Sequence, residues 1–298
     1  MEALFHETIS SSTIIFFAAL GGLFSSIAGK INIGLEGLML ISAFLIPYFS
    51  QLFGSVMVGL SFGIVIGGIL GAFIYFLHSR FKANIFVLGL AMNLFAAGIT
   101  TFLSSAFLQT KGTVYFSFPT SIRPFDIPVL SNIPVFGILF SHQNVFDYLS
   151  FIFVIVIYVL LEKTFFGLRL KTIGFNHKTA ESAGINVKKY SYGAYILSGT
   201  FCALSGAALS LPLESFVANM TNGRGWIALV AVILGKNNPI GVLGAALLFG
   251  FSSALANLLQ INTTIAPKLL MTIPFLITLL ALIAYSANEK KTGGKNEP

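Results

Sequence analysis

The chain has 298 residues, of which 56% are hydrophobic and only 9% charged. A soluble domain carries about 25% charged residues, so the mean hydropathy of +0.89 excludes that class. The formal charge of +7 then reflects membrane topology rather than a grip on nucleic acid, because membrane proteins collect Lys and Arg in their cytoplasmic loops.

In chain order, apolar runs near residues 12–29, 34–53, 55–77, 84–107, 147–161, 191–211, 224–235, 240–259 and 265–285 predict helices. A span needs roughly 20 apolar residues to cross the hydrocarbon core. The runs do not alternate as barrel strands would. The expected fold is therefore an all-α polytopic membrane protein with about eight to ten helices, some short or broken, and the lipid bilayer around it. The first run lacks the basic flank of a cleaved signal peptide and is read as a retained helix. The single Cys202 lies inside an apolar run and has no intrachain disulfide partner.

Between the first two runs stands GKINIGLEG, residues 29–37, where Lys30, Asn32 and Glu36 are punctuated by glycines. GKNNPIGVLG, residues 235–244, repeats the pattern after a run too short to span the bilayer. Polar residues within membrane segments usually face a bundle interior or a cavity. Transporters build sites from such broken helices at corresponding positions of two halves. The echo suggests an internal repeat with two broken elements; two interfacial turns with snorkelling lysines would look the same. Asn93 lies in the middle of a helix. Glu214, Asn219, Asn222, Arg224 and Trp226 cluster before the seventh run, and Asn257 and Gln260 sit near the end of the eighth. Asn32, Glu36, Asn93, Asn219, Arg224, Trp226 and Asn238 are the candidate lining of a path for a polar, uncharged solute. The stripe Ser198, Cys202, Gly206, Ser210 is read as helix packing.

With the N-terminus outside and the C-terminus inside, all but Lys111, Arg123, Arg224 and Lys268 of the 17 basic residues fall on the cytoplasmic side, as the positive-inside rule favours. Residues 108–146, rich in Pro, then form an ordered extracellular segment with irregular or hairpin structure. Residues 162–190 form a basic cytoplasmic loop. Within it NHKTAESAG has the grammar of a short helix: Asn176 as N-cap, Ala180 and Ala183 as helix formers, Gly184 as the left-handed stop. A two-turn helix gains little stability alone, so packing or a partner orders it. The chain has no phosphate-binding loop, no His or Cys at metal-ligand spacing and no catalytic constellation; neither cofactor nor enzyme activity is expected. GRGWIA imitates a dinucleotide fingerprint but has no preceding strand.

Several stretches together resemble a family: GKINIGLEG, GLRLKTIGFNHKTAESAGINV followed by SGTFCALSGAA, and GRGWIALVAVILGKNNPIGVLGAALLFG. Their order and spacing are similar to permease subunits of bacterial ABC importers, in the branch for branched-chain amino acids, simple sugars and nucleosides, and most like the nucleoside and simple-sugar subgroup. The resemblance covers roughly residues 15–285. It implies one transmembrane permease domain over 1–288 with a cytoplasmic tail at 289–298, in the cytoplasmic (inner) membrane. It implies three partners: a homologous second permease, a cytoplasmic ABC ATPase and an external solute-binding lipoprotein. It also implies that Asn176, His177, Lys178, Ala180, Glu181, Ala183 and Gly184 form the helix that couples to the ATPase. The competing reading is a stand-alone secondary transporter or facilitator, against which the lack of buried acid pairs argues.

Overall fold

The computed structural model describes residues 2–110, 112–118, 122, 143–262, 267–270 and 272–293. Most of the segment expected over 108–146, and residues 294–298 of the expected tail, lie outside them. In chain order the elements are α1 (Glu2–Ile27), α2 (Leu35–Phe53), α3 (Val56–Phe81), α4 (Ile85–Leu108), β1 (Thr113–Tyr115), α5 (Val145–Lys163), α6 (Phe165–Phe175), α7 (His177–Ser182), α8 (Val187–Ser210), β2 (Ser215–Val217), α9 (Arg224–Leu234), α10 (Pro239–Asn262), α11 (Pro267–Leu270) and α12 (Ile273–Gly293). Among the described residues seven helices are long and apolar enough to cross a membrane: α1 to α5, α8 and α10. Arg224–Leu234 and Ile273–Ile283 are shorter apolar helices. The all-α polytopic fold is as expected, and the chain is a multi-pass membrane protein.

The layers follow from composition. The spanning part of α1 is 94% buried and that of α4 only 28%. In lipid the most apolar helices face outward and polar residues turn to the bundle interior. Here α3, α4 and α5 are the more apolar and the more exposed, and α1, α2 and α8 the less apolar and the more buried. The helix α1 packs on α8, α9 and α10 with Phe16, Phe17, Leu20, Leu23 and Phe24 fully buried. Some of its polar residues are satisfied within the helix, as Thr8 Oγ1 donates to Leu4 O at 2.7 Å, and others across it, as Glu7 Oε1 accepts from Asn257 Nδ2 at 2.9 Å. The outward faces of α3, α4 and α5 carry exposed Phe, Leu, Val and Ile side chains, the surface a bilayer covers.

The small-residue stripe of α8 sets the closest crossings. A methyl group on Gly199 would collide with the Gly67 carbonyl of α3, and one on Gly206 would sit 2.6 Å from Met39 O of α2. Ser205 Oγ donates to Ile14 O of α1 at 2.6 Å. Backbones thus touch through α8 where lipid supplies no hydrophobic drive between helices.

Two details differ from the expectation. The loop 162–190 holds two helices, because Thr164 starts α6 with a side-chain cap on Gly167 N. The run 265–285 divides into α11 and α12. The strand after α4 pairs antiparallel with β2, a distant segment, in the register Val114 to Phe216; most of the segment expected to be irregular or hairpin lies outside the described residues.

Candidate functional site

The site is built where two helices begin. After α1 the chain does not turn back at once. Residues 28–34 run irregularly from Gly29, which lies beside Gly174 and His177, back into the bundle. There Asn32 Nδ2 donates to Ser198 Oγ at 3.0 Å, at the middle of α8. Asn32 Oδ1 accepts from Gly34 N at 2.9 Å, and Asn32 N donates to Ser25 Oγ at 3.0 Å. Tyr195 donates its hydroxyl to Lys30 O at 2.9 Å. Lys30 Nζ lies 5.4 Å from the Tyr75 ring centroid, and partial burial pulls its ammonium below the ordinary lysine pKa. Asn93 of α4 closes the other side: its Oδ1 accepts from Gly37 N at 2.7 Å and its Nδ2 donates to Ile33 O at 3.1 Å. Lys30 O, Asn32 N, Ile33 O and Gly34 N of this break thus each have a side-chain partner, as irregular backbone at membrane depth requires.

The second beginning is that of α9. After α8 the chain turns through β2 and residues 218–223, with Asn219 and Asn222 in the left-handed region, before α9 starts. Glu36 of α2 reaches across to it. Its Oε1 accepts from Gly223 N at 2.8 Å and its Oε2 from Gly225 N at 2.6 Å. A carboxylate at a helix N-terminus meets unpaired N–H groups and the positive end of the helix dipole. The N-termini of α2 and α9 are therefore joined by one charged side chain. Gly225 permits the approach, since a methyl group there would lie 2.6 Å from Glu36 N.

Beside this junction lies a cleft of about 390 Å³ lined by Glu36, Asn93, Asn219, Asn222, Trp226 and Phe275, with Gly37, Leu40, Ala97, Thr221 and Gly223. Small-molecule sites usually measure roughly 300–1,000 Å³ and combine apolar walls with a few placed polar groups. Of the seven path residues expected from sequence, Glu36, Asn93, Asn219 and Trp226 line this cleft. Arg224 lines an adjoining chamber. Asn32 is buried behind the wall. Asn238 stands at the far end of α9, where its Oδ1 accepts from Ile240 N at 2.9 Å and it borders a cavity with Lys171, Glu162 and Lys236. Phe275 was not foreseen, because in sequence it is one aromatic among many in an apolar run.

GKINIGLEG and GKNNPIGVLG differ in shape. The second is a tight turn between α9 and α10, with Lys236 and Asn237 at positive φ. The spatial counterpart of the first break is residues 219–225.

At the face where α1 ends, the Asn176 side chain accepts from Lys178 N and Thr179 N and so caps α7. Ala180 is buried in a small cluster with Ile173 and Val187, which ties α7 to α6 and α8. His177 Nδ1 pairs with Ile173 O at 2.6 Å. Lys178, Glu181, Ala183 and Gly184 are exposed, with Gly184 at φ +74. Phe175, absent from the expected set, is 94% exposed beside the cap.

Residues 4–282 match the family described as "Branched-chain amino acid transport system / permease component". The nucleoside ABC transporter permease NupC of Lactococcus lactis subsp. cremoris is 36% identical, over 82% of this chain and 79% of that protein. The guanosine ABC transporter permease NupQ of Bacillus subtilis is 34% identical, over 93% and 90%. TsgC13 of Haloferax volcanii, assigned as a glucose ABC transporter permease, is 32% identical, over 95% and 91%. The same Bacillus and Lactococcus strains carry more distant relatives, NupP at 27% and NupB at 24% identity. Among solved structures, an inward-facing ABC transporter assigned to the metal-chelate type shares the fold, with a TM-score of 0.54 at 16% identity over 94% of this chain and 85% of that one. The chain belongs to the branched-chain amino acid transport system permease component family and is a membrane permease subunit of an ABC importer.

Proposed function

We propose that this permease passes nucleosides through the cleft between the N-termini of α2 and α9, driven by ATP hydrolysis in a separate cytoplasmic subunit. The observation that carries this reading is the cleft itself: Trp226 and Phe275 offer aromatic faces to a base, and Asn219 and Asn222 offer polar groups to a ribose, while Glu36 and Asn93 hold the wall. The names of NupC and NupQ support it. Asn32 holds the wall of the path through Ser198, and Asn238 borders its cytoplasmic end. A second homologous permease and an external solute-binding lipoprotein complete the importer, as the pairing of NupC with NupB and of NupQ with NupP supports. The N-terminus lies outside and the α7 face and C-terminus inside. TsgC13 favours a second reading, in which the solute is a simple sugar.

Work enters through α7. A helix of six residues, capped by Asn176 and anchored by Ala180, moves as one piece with α6 and α8. Its exposed side, with Phe175, Lys178, Glu181 and Ala183, meets the ATPase. The test is uptake of labelled guanosine, adenosine and glucose by vesicles containing the complete importer. ATP-dependent uptake of the nucleosides and not the sugar is expected; uptake of glucose alone overturns the substrate. In the same vesicles Ala183→Arg should release the ATPase and abolish solute-stimulated hydrolysis. Retention of both removes α7 from the coupling path.

A further inference from the structure

The chamber adjoining the cleft has a chemical character of its own. It measures about 100 Å³ and is lined by Arg224, Asn222, Ser253, Asn257, Gln260 and Phe275, among others. Asn222 and Phe275 belong to both spaces. At that size it takes the edge of a molecule and not the whole of one, while the bulk lies in the cleft.

Its polar wall holds an excess of donors. Arg224 has five N–H groups and no acceptor; among the described residues its side chain makes one hydrogen bond, from Nη1 to Met220 O at 3.0 Å. Glu36 and Glu7 supply negative charge nearby. Both are already engaged: Glu36 with the start of α9, Glu7 with Asn257 Nδ2 at 2.9 Å. Gln260 Nε2 is buried and has no partner. A half-buried guanidinium inside a bundle with donors to spare is unfavourable unless a ligand or water completes it.

We propose that this chamber reads the acceptor edge of a 6-oxopurine base, through the Arg224 fork with the Gln260 amide beside it. The inference rests on the nucleoside reading of the cleft. A guanidinium pairs bidentately with two adjacent acceptors in one plane, which the O6 and N7 atoms of guanine or hypoxanthine supply. Adenine keeps N7 but turns an N–H donor toward Arg224 in place of O6, so two donors face each other. A uracil ring sets no second acceptor beside either carbonyl, whereas cytosine does, at O2 and N3, so the fork separates 6-oxopurines from adenine and uracil and not from cytosine. A sugar hydroxyl bonds as donor or acceptor and is not discriminated. Phe275, shared by the two spaces, is placed to lie against the base plane.

The experiment is uptake by the reconstituted importer of guanosine, inosine, adenosine and a simple sugar, with wild type, Arg224→Lys and Gln260→Leu. The binding lipoprotein is the same in every arm, so a change in the guanosine-to-adenosine ratio between variants reports on the permease. Arg224→Lys keeps the charge and loses the planar fork. It should lower the guanosine and inosine preference by roughly 10-fold, and Gln260→Leu should lower it by less. ATPase co-purification reports assembly; if Arg224→Lys does not assemble, Gln260→Leu decides. A variant that slows all nucleosides by one common factor overturns the proposal while leaving the nucleoside reading intact. Transport of the sugar and of no nucleoside overturns both.

Discussion

Two stretches of this chain share almost the same wording and do different work. GKINIGLEG is tied to the rest of the molecule from every side: Asn32 to α8, Gly37 and Ile33 to Asn93 of α4, Lys30 to Tyr195, Glu36 to the start of α9. GKNNPIGVLG satisfies itself locally: Asn238 caps its own helix, and Gly235 and Gly241 pack on each other. The matching glycines differ in the same way. A methyl group on Gly37 would lie 2.7 Å from Met92 O, whereas one on Gly244 would meet nothing within 4 Å. A motif in a membrane protein is therefore defined by where its hydrogen bonds end and not by its wording.

That contrast can be broken by substitution. The largest loss is expected from Glu36→Leu, which strands Gly223 N and Gly225 N at the start of α9. Hydrogen bonds to a charged group contribute about 1.5–3 kcal/mol each, so thermal melting of the purified complex should fall most for this variant and uptake should be lost. Gly37→Ala comes next: the contact is with backbone, and overpacking costs about 1–3 kcal/mol. Asn32→Leu leaves the buried Ser198 hydroxyl and Gly34 N without partners, worth about 1–3 kcal/mol, and should reduce uptake more than assembly. Asn238→Ala removes only a cap and should cost about 1 kcal/mol. Gly244→Ala has the smallest effect and the opposite sign: a helical glycine with free space around it should gain up to about 1 kcal/mol. If Asn238→Ala lowered the melting temperature as far as Gly37→Ala, the distinction between tied and local would not stand.

What could be read from the sequence follows the same line. Uninterrupted apolar runs announce helices by length and composition alone, and seven of the nine expected runs agree within four residues at each end, while α1 starts ten residues earlier than expected and the last run divides into α11 and α12. The N-cap at Asn176 was legible because a cap bonds two and three residues ahead. Glu36, Asn93, Asn219 and Trp226 stood out as polar or amphipathic residues in an apolar context, but nothing local told that they converge. The reach of Glu36 to Gly223 crosses most of the chain, and the pairing of β1 with β2 about a third of it. Such bonds have no period. Asn32 and Asn238 looked equivalent for the same reason. Phe275 and Phe175 were hidden by composition: with 31 Phe residues, no single one signals a role.

The burial of α1 has a consequence for biogenesis. It leaves the ribosome well before the helices that cover it, since its neighbours α8, α9 and α10 begin at residues 187, 224 and 239. At roughly 5–20 residues per second, α1 waits on the order of 10–40 s in the membrane before its last wall is synthesised. During that interval its serine and threonine hydroxyls face lipid or a chaperoning insertase, and bonds such as Thr8 to Leu4 O and Ser12 to Thr8 O keep them quiet. The intrahelical hydroxyl bonds of α1 therefore serve the nascent chain before they serve the finished one. A ribosome stalled before residue 239 would leave the most buried of the described spanning helices with one flank uncovered, a ready substrate for membrane quality control.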